Sequence, residues 1–156
     1  MLKLRKNKKG FTLVELIVVI AIMAVLAGTV AGVTVSQLNK QTNNSGATQA
    51  KLIADYVVQT IGAEPEVVLD DNDKFVTEDN TTTKKVTIVN KIKAEMKNDK
   101  IGFAGTTAKK GEIALTLADD GSKLTITYHK KGSGNGTIFY EVTSTGAITG
   151  PTETNS

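Results

Sequence analysis

The sequence predicts an α+β protein: a long N-terminal α-helix, first hydrophobic and then amphipathic, packed on a small antiparallel β-sheet head. Three observations carry that expectation. Residues 16–35 form an apolar run broken only by Gly28, Thr29, Gly32 and Thr34. Residues 36–62 turn polar but keep apolar side chains at helical spacing. After Gly111 the apolar spacing shortens to two, and glycine-rich turns punctuate it. With such a helix set aside, the 156 residues leave room for one head of about 100 residues.

The apolar run is preceded by Lys3, Arg5, Lys6, Lys8 and Lys9, with no anion among residues 1–10. Removing this leader takes five of the 19 basic residues and none of the 16 acidic ones, leaving 14 against 16, or −2. The formal charge of +3 therefore sits in the leader and is no argument for nucleic-acid binding. Positive charge ahead of an apolar helix instead orients a membrane span, cationic end in the cytoplasm. At about 1.5 Å per residue the run matches the roughly 30 Å hydrocarbon core of a bilayer. A secretory signal is ordinarily cut after its apolar segment. Here Val33 and Ser36 offer no compelling site, whereas Gly10 stands before the segment. Lacking Cβ, Gly10 lets a peptidase approach the backbone closely. An uncleaved anchor with a basic flank explains the charge, but not why Gly10, Phe11 and Glu15 occur together.

Glu15 demands a reason. A carboxylate within a membrane segment costs roughly 2.5–3.5 kcal/mol on insertion scales. The bland reading is a solvated position at headgroup level. The stretch Gly10-Phe11-Thr12-Leu13-Val14-Glu15, after a basic leader and before an apolar helix, resembles the class III signal of type IV prepilins. The resemblance covers residues 1–36. It implies peptidase cleavage between Gly10 and Phe11, and N-methylation of the new Phe11 amine. It further implies that Glu15 of one subunit pairs with that amine on its neighbour and so sets filament register. The partners implied are further copies of the chain in a helical filament, a prepilin peptidase with methyltransferase activity, a platform membrane protein and an assembly ATPase. The implied location is a single pass of the cell membrane with the N-terminus cytoplasmic, then an extracellular pilus. A pseudopilin of a secretion or competence system shares the motif. A membrane-anchored surface binding protein that never polymerises is the reading of a different class.

Gly28 and Gly32 are four apart, a spacing that lets apolar helices approach closely. Each also costs about 1 kcal/mol against Ala in a helix interior, so the pair can equally loosen the segment. Packing, melting and an ordinary tight anchor stand side by side. Beyond the run, Ile53, Val57 and Ile61 recur at i, i+4 and i+8, with Ala50, Leu52 and Tyr56 alongside. Asn43-Asn44-Ser45-Gly46 is a poor helical stretch and marks a possible bend. Gly62 and Pro65 make a stop signal.

The head is expected over residues 63–156. It starts with an acidic loop containing Asp70-Asp71-Asn72-Asp73, which lacks the spacing of an EF-hand. Residues 84–97 fit a short helix through Val86, Val89, Ile92 and Met96, with Thr81–Thr83 as caps, although the β-branched run keeps a strand open. An antiparallel sheet of three or four strands follows over 112–149, with a hairpin at Asp119-Asp120-Gly121-Ser122 and a free C-terminal tail. No cysteine is present, which removes disulfides, thiolate metal sites and cysteine catalysis. His129 is the sole histidine, and no nucleophile–base pair or phosphate-binding glycine motif stands out. No catalytic residue, metal or cofactor is expected. The pairs Lys84-Lys85, Lys109-Lys110 and Lys130-Lys131 are weak as a polyanion patch.

Overall fold

The computed structural model describes residues 10–96, 103–104 and 108–155. Packing divides the chain into two units, Met1–Leu38 and Asn39–Ser156. The helix α1 (Leu13–Ala63) begins in the first and ends in the second. In the first unit the described large apolar side chains, from Leu13 to Val35, are all exposed.

The second unit holds the rest of α1 and two short helices, α2 (Pro65–Val68) and α3 (Ile88–Glu95). Its sheet is β1 (Phe103–Ala104), β2 (Ile113–Leu117), β3 (Lys123–His129), β4 (Thr137–Thr143) and β5 (Ile148–Thr154), in that spatial order. β2 to β5 form an antiparallel meander, and the two-residue β1 pairs parallel to β2. Alternation drives the packing: Leu124, Ile126 and Tyr128 of β3 are buried, as are Tyr140 and Val142 of β4. Ala50, Ile53, Ala54 and Val57 of α1 join that core, with Ile88 and Ile92 of α3. The α+β arrangement expected from the sequence is present.

Several local expectations need correction. Leu52 is 55% exposed and lies outside the helix stripe, where Ala54 takes its place. The helix does not stop at Gly62 but runs to Ala63, with the Glu64 N–H still bonded to Thr60 O at 2.9 Å. Pro65 then starts α2, a position where its missing N–H is harmless. The second helix is shorter than 84–97: α3 spans Ile88–Glu95, and its N-cap is Thr87, not Thr81–Thr83. Asn80 Oδ1 takes the N–H groups of Thr82 and Thr83 instead, which fixes those residues as a turn. The tail is not free either. β5 continues to Thr154, with Thr137 facing Thr154 and Ile138 facing Glu153.

The largest difference lies at Asn43-Asn44-Ser45-Gly46, which stays helical. Asn43 is the reason. Its Oδ1 accepts from the Lys131 N–H at 2.8 Å and the Tyr128 hydroxyl at 3.2 Å, and its Nδ2 donates to Lys131 O at 3.0 Å. Three bonds to the end of β3 offset the poor propensity of the stretch. Gly46 lies against the Tyr128 ring, where a Cβ would fall 2.2 Å from Cε2 and Cζ. These residues form a socket for a buried tyrosine.

Candidate functional site

Gly10 and Phe11 precede α1 and are exposed, Phe11 by 91%. Thr12 then opens the helix. Its Oγ1 accepts from the Glu15 N–H at 3.3 Å, while its own N–H donates to Glu15 Oε2 at 2.8 Å. The Thr12 hydroxyl also donates to Oε2 at 2.8 Å. This reciprocal pair is a capping box, which satisfies N–H groups that a helix start leaves orphaned. Thr12 is not among the site residues expected above, although Thr12-x-x-Glu15 is the sequence signature of such a box. Both bonds to the Glu15 carboxylate use Oε2; Oε1 takes no part in the box.

From Leu16 to Val35 the described residues present apolar side chains on all sides of the helix, interrupted by Thr29 and Thr34. Such a helix is unstable in water and belongs against lipid or other helices. Its two hydroxyls are answered internally: Thr29 Oγ1 donates to Leu26 O at 3.0 Å and Thr34 Oγ1 to Val30 O at 2.8 Å. That is what an apolar solvent requires of a polar group. Gly28 and Gly32 are helical and exposed, and a Cβ at either would meet nothing within 4 Å. The segment is long and apolar enough to cross a membrane.

Among its described residues the head carries no comparable arrangement. An open cavity of about 520 Å³ is lined by Asp70, Asp71, Glu78, Asp119 and Asp120 with Lys85 and apolar neighbours. Asp70 is committed to its own turn, accepting from the N–H groups of Asn72 and Lys74 at 2.8 and 3.0 Å. Those bonds hold its carboxyl below the ordinary carboxylate pKa. Among the described residues, no three acidic or histidine side chains converge to hold a metal ion. His129 joins the sheet through its backbone, donating to Glu112 O and accepting from Gly111 N. Of the three lysine pairs, Lys85 bonds Asp71 beside the acidic cavity, while Lys109-Lys110 and Lys130-Lys131 meet elsewhere, at the end of β3.

Residues 5–31 match the family described as the prokaryotic N-terminal methylation motif. This is the class III signal motif of type IV pilins. It covers Gly10, Phe11, Thr12, Glu15 and Gly28, and stops short of Gly32. A motif of this kind marks a pilin-like or pseudopilin-like chain handled as a prepilin. No curated protein and no solved structure matches the chain.

Proposed function

We propose that the chain is a type IV prepilin, the structural subunit of a surface filament. Residues 1–10 are the leader, cut away between Gly10 and Phe11; residues 11–35 span the membrane and later fill the filament core. Residues 36–62 continue the helix into the head, which occupies 63–156. The observation that carries this reading is the signal motif leading directly into a helix exposed and apolar on every side. That helix has to be covered, first by lipid and then by helices of neighbouring subunits. Within the filament, Glu15 pairs with the methylated Phe11 amine of a neighbour. Its Oε2 is engaged with Thr12, and the capping box makes no bond to its Oε1. Assembly draws on a prepilin peptidase with methyltransferase activity, a platform membrane protein and a cytoplasmic ATPase. The activity is assembly rather than catalysis.

Mass spectrometry of the N-terminal peptide, from sheared surface material and from membranes, tests this. A peptide starting at methylated Phe11 in the sheared fraction is the expected result. The same peptide confined to membranes would indicate a pseudopilin, which shares the processing. An intact Met1 end in both fractions would overturn the prepilin reading and leave an anchored surface protein.

A further inference from the structure

The head is charged unevenly along β3. Before this strand, the turn at Asp119-Asp120 borders the acidic cavity. After it come Lys130 and Lys131, so seven residues of strand, roughly 23 Å, separate an acidic pole from a basic one. The basic pole is built from three places in the chain. The Lys131 side chain runs along Gly111, with Cε 2.4 Å from where a Cβ of that residue would be. Lys110 Nζ donates to Gly132 O at 2.9 Å. Asn43 grips the Lys131 backbone, and Asn39 Nδ2 lies 3.8 Å from the Cβ position of Gly132. Lys109 is adjacent in the turn, and Lys40 follows Asn39; Lys40, Lys109, Lys110 and Lys131 are all exposed.

Their charge is largely uncompensated. Lys130 is paired with Glu153, and the Glu112 carboxylate accepts from the Lys109 backbone N–H at 2.8 Å. None of the ion pairs among the described residues involves Lys40, Lys109, Lys110 or Lys131. These four cations thus stand without an ion pair among the described residues, beside head side chains that over 63–156 sum to 12 − 14, or −2.

The position of this pole along the chain decides its partner. Asn39 follows Val35, the last residue of the apolar run, by four residues, which can span at most about 14 Å. The headgroup layer is about 5–8 Å thick on each side of a bilayer, and the Debye length at physiological salt is about 8 Å. With the apolar run in a membrane, the basic pole is held within reach of the headgroups. We infer that Lys109, Lys110 and Lys131, with Lys40, form a docking surface for anionic phospholipid headgroups that seats the head on the membrane before assembly. The acidic pole, a strand length or roughly three Debye lengths away, is screened from that surface and does not oppose the seating. Because assembly removes the subunit from lipid, these contacts are broken on extraction. This inference rests on the membrane-anchored reading proposed above.

The test uses the full chain in lipid nanodiscs, either phosphatidylcholine alone or with about one third phosphatidylglycerol. Lysine acetylation rates are read by peptide mass spectrometry. Lys109, Lys110 and Lys131 are expected to react about fivefold more slowly in the anionic discs, the effect of one lysine–surface interaction. Lys84 and Lys123 should be unchanged, and high salt should abolish the difference. Equal rates in both discs, with the chain embedded in each, would overturn the docking surface and leave the anchor intact. Protection by duplex DNA in phosphatidylcholine discs, without protection by phosphatidylglycerol, would reassign the pole to nucleic acid and overturn it too. A chain that fails to co-elute with either disc would bring down the anchor reading and this inference with it.

Discussion

The capping box engages Glu15 Oε2 and makes no bond to Oε1, so under the proposed reading one carboxylate serves both the helix start and the amine of a neighbour. Glu15→Ala is therefore expected to leave export intact and to lower filament yield sharply, since both the cap and the pair are lost. Thr12→Val keeps the carboxylate but removes the hydroxyl, a loss of about 1 kcal/mol at the helix start. Its yield should fall less than that of Glu15→Ala and recover in Thr12→Ser, as measured by subunit in sheared filaments. Normal filaments from Glu15→Ala would rule out the pairing. In the head, Asp79 plays an analogous part for α3. Its Oδ1 accepts from the Thr87 N–H at 2.7 Å and its Oδ2 from Asn90 Nδ2 at 2.7 Å. These bonds, the Thr87 one foremost, hold the Asp79 carboxyl below its ordinary pKa. A depressed pKa contributes stability that is present above the unfolded value, near 3.9, and is lost as pH falls through the folded value. Thermal unfolding should therefore be nearly flat between neutral pH and about pH 5, then shift downward below about pH 4. Asp79→Asn should start lower at neutral pH and lose less on acidification. The same slope in the variant would mean other carboxylates dominate.

At the scale of elements, Gly46 and Gly62 make opposite predictions although both are glycines in α1. Around Gly62 a Cβ meets nothing within 4 Å, so Gly62→Ala should stabilise by about 0.5–1 kcal/mol through helix propensity alone. At Gly46 the Cβ falls 2.2 Å from the Tyr128 ring, which is buried and tied by its hydroxyl to Asn43. The propensity gain is smaller than the overpacking cost of about 1–3 kcal/mol, so Gly46→Ala should destabilise. Chemical unfolding followed by near-ultraviolet circular dichroism separates the two. An unchanged midpoint for Gly46→Ala would show that the socket yields. This pair also marks where the sequence was readable. The apolar run, the period-two strands and the turn at Gly121 announce themselves by local pattern, as does the leader. What Asn43 and Gly46 do depends on Tyr128 and Lys131, more than 80 residues away, and local propensity pointed to a bend. Strand β5 was hidden for a similar reason: its residues are all exposed, so no apolar alternation reveals it, and pairing with β4 alone defines it. At the candidate site Gly10, Phe11 and Glu15 stand out as a motif, whereas the capping part of Thr12 shows most plainly in its bonds to Glu15.

For the molecule as a whole, the first half of α1 contributes nothing to the buried core among the described residues; its members begin at Ala50 and come entirely from the second unit. The described buried polar side chains have their partners there as well, and none is left unsatisfied. A chain beginning at Asn39 should therefore fold on its own as a soluble monomer. Its unfolding midpoint should lie within a few degrees of the head transition of the full chain in detergent. The comparison is made by calorimetry, with sedimentation to establish the monomer. A fragment that aggregates or melts far below the full chain would show that residues before Asn39 support the head. Independence of this kind suits an assembling subunit. Under the proposed reading the helix exchanges lipid for neighbouring helices while the head keeps its core, because among the described residues no member of that core comes from the apolar segment.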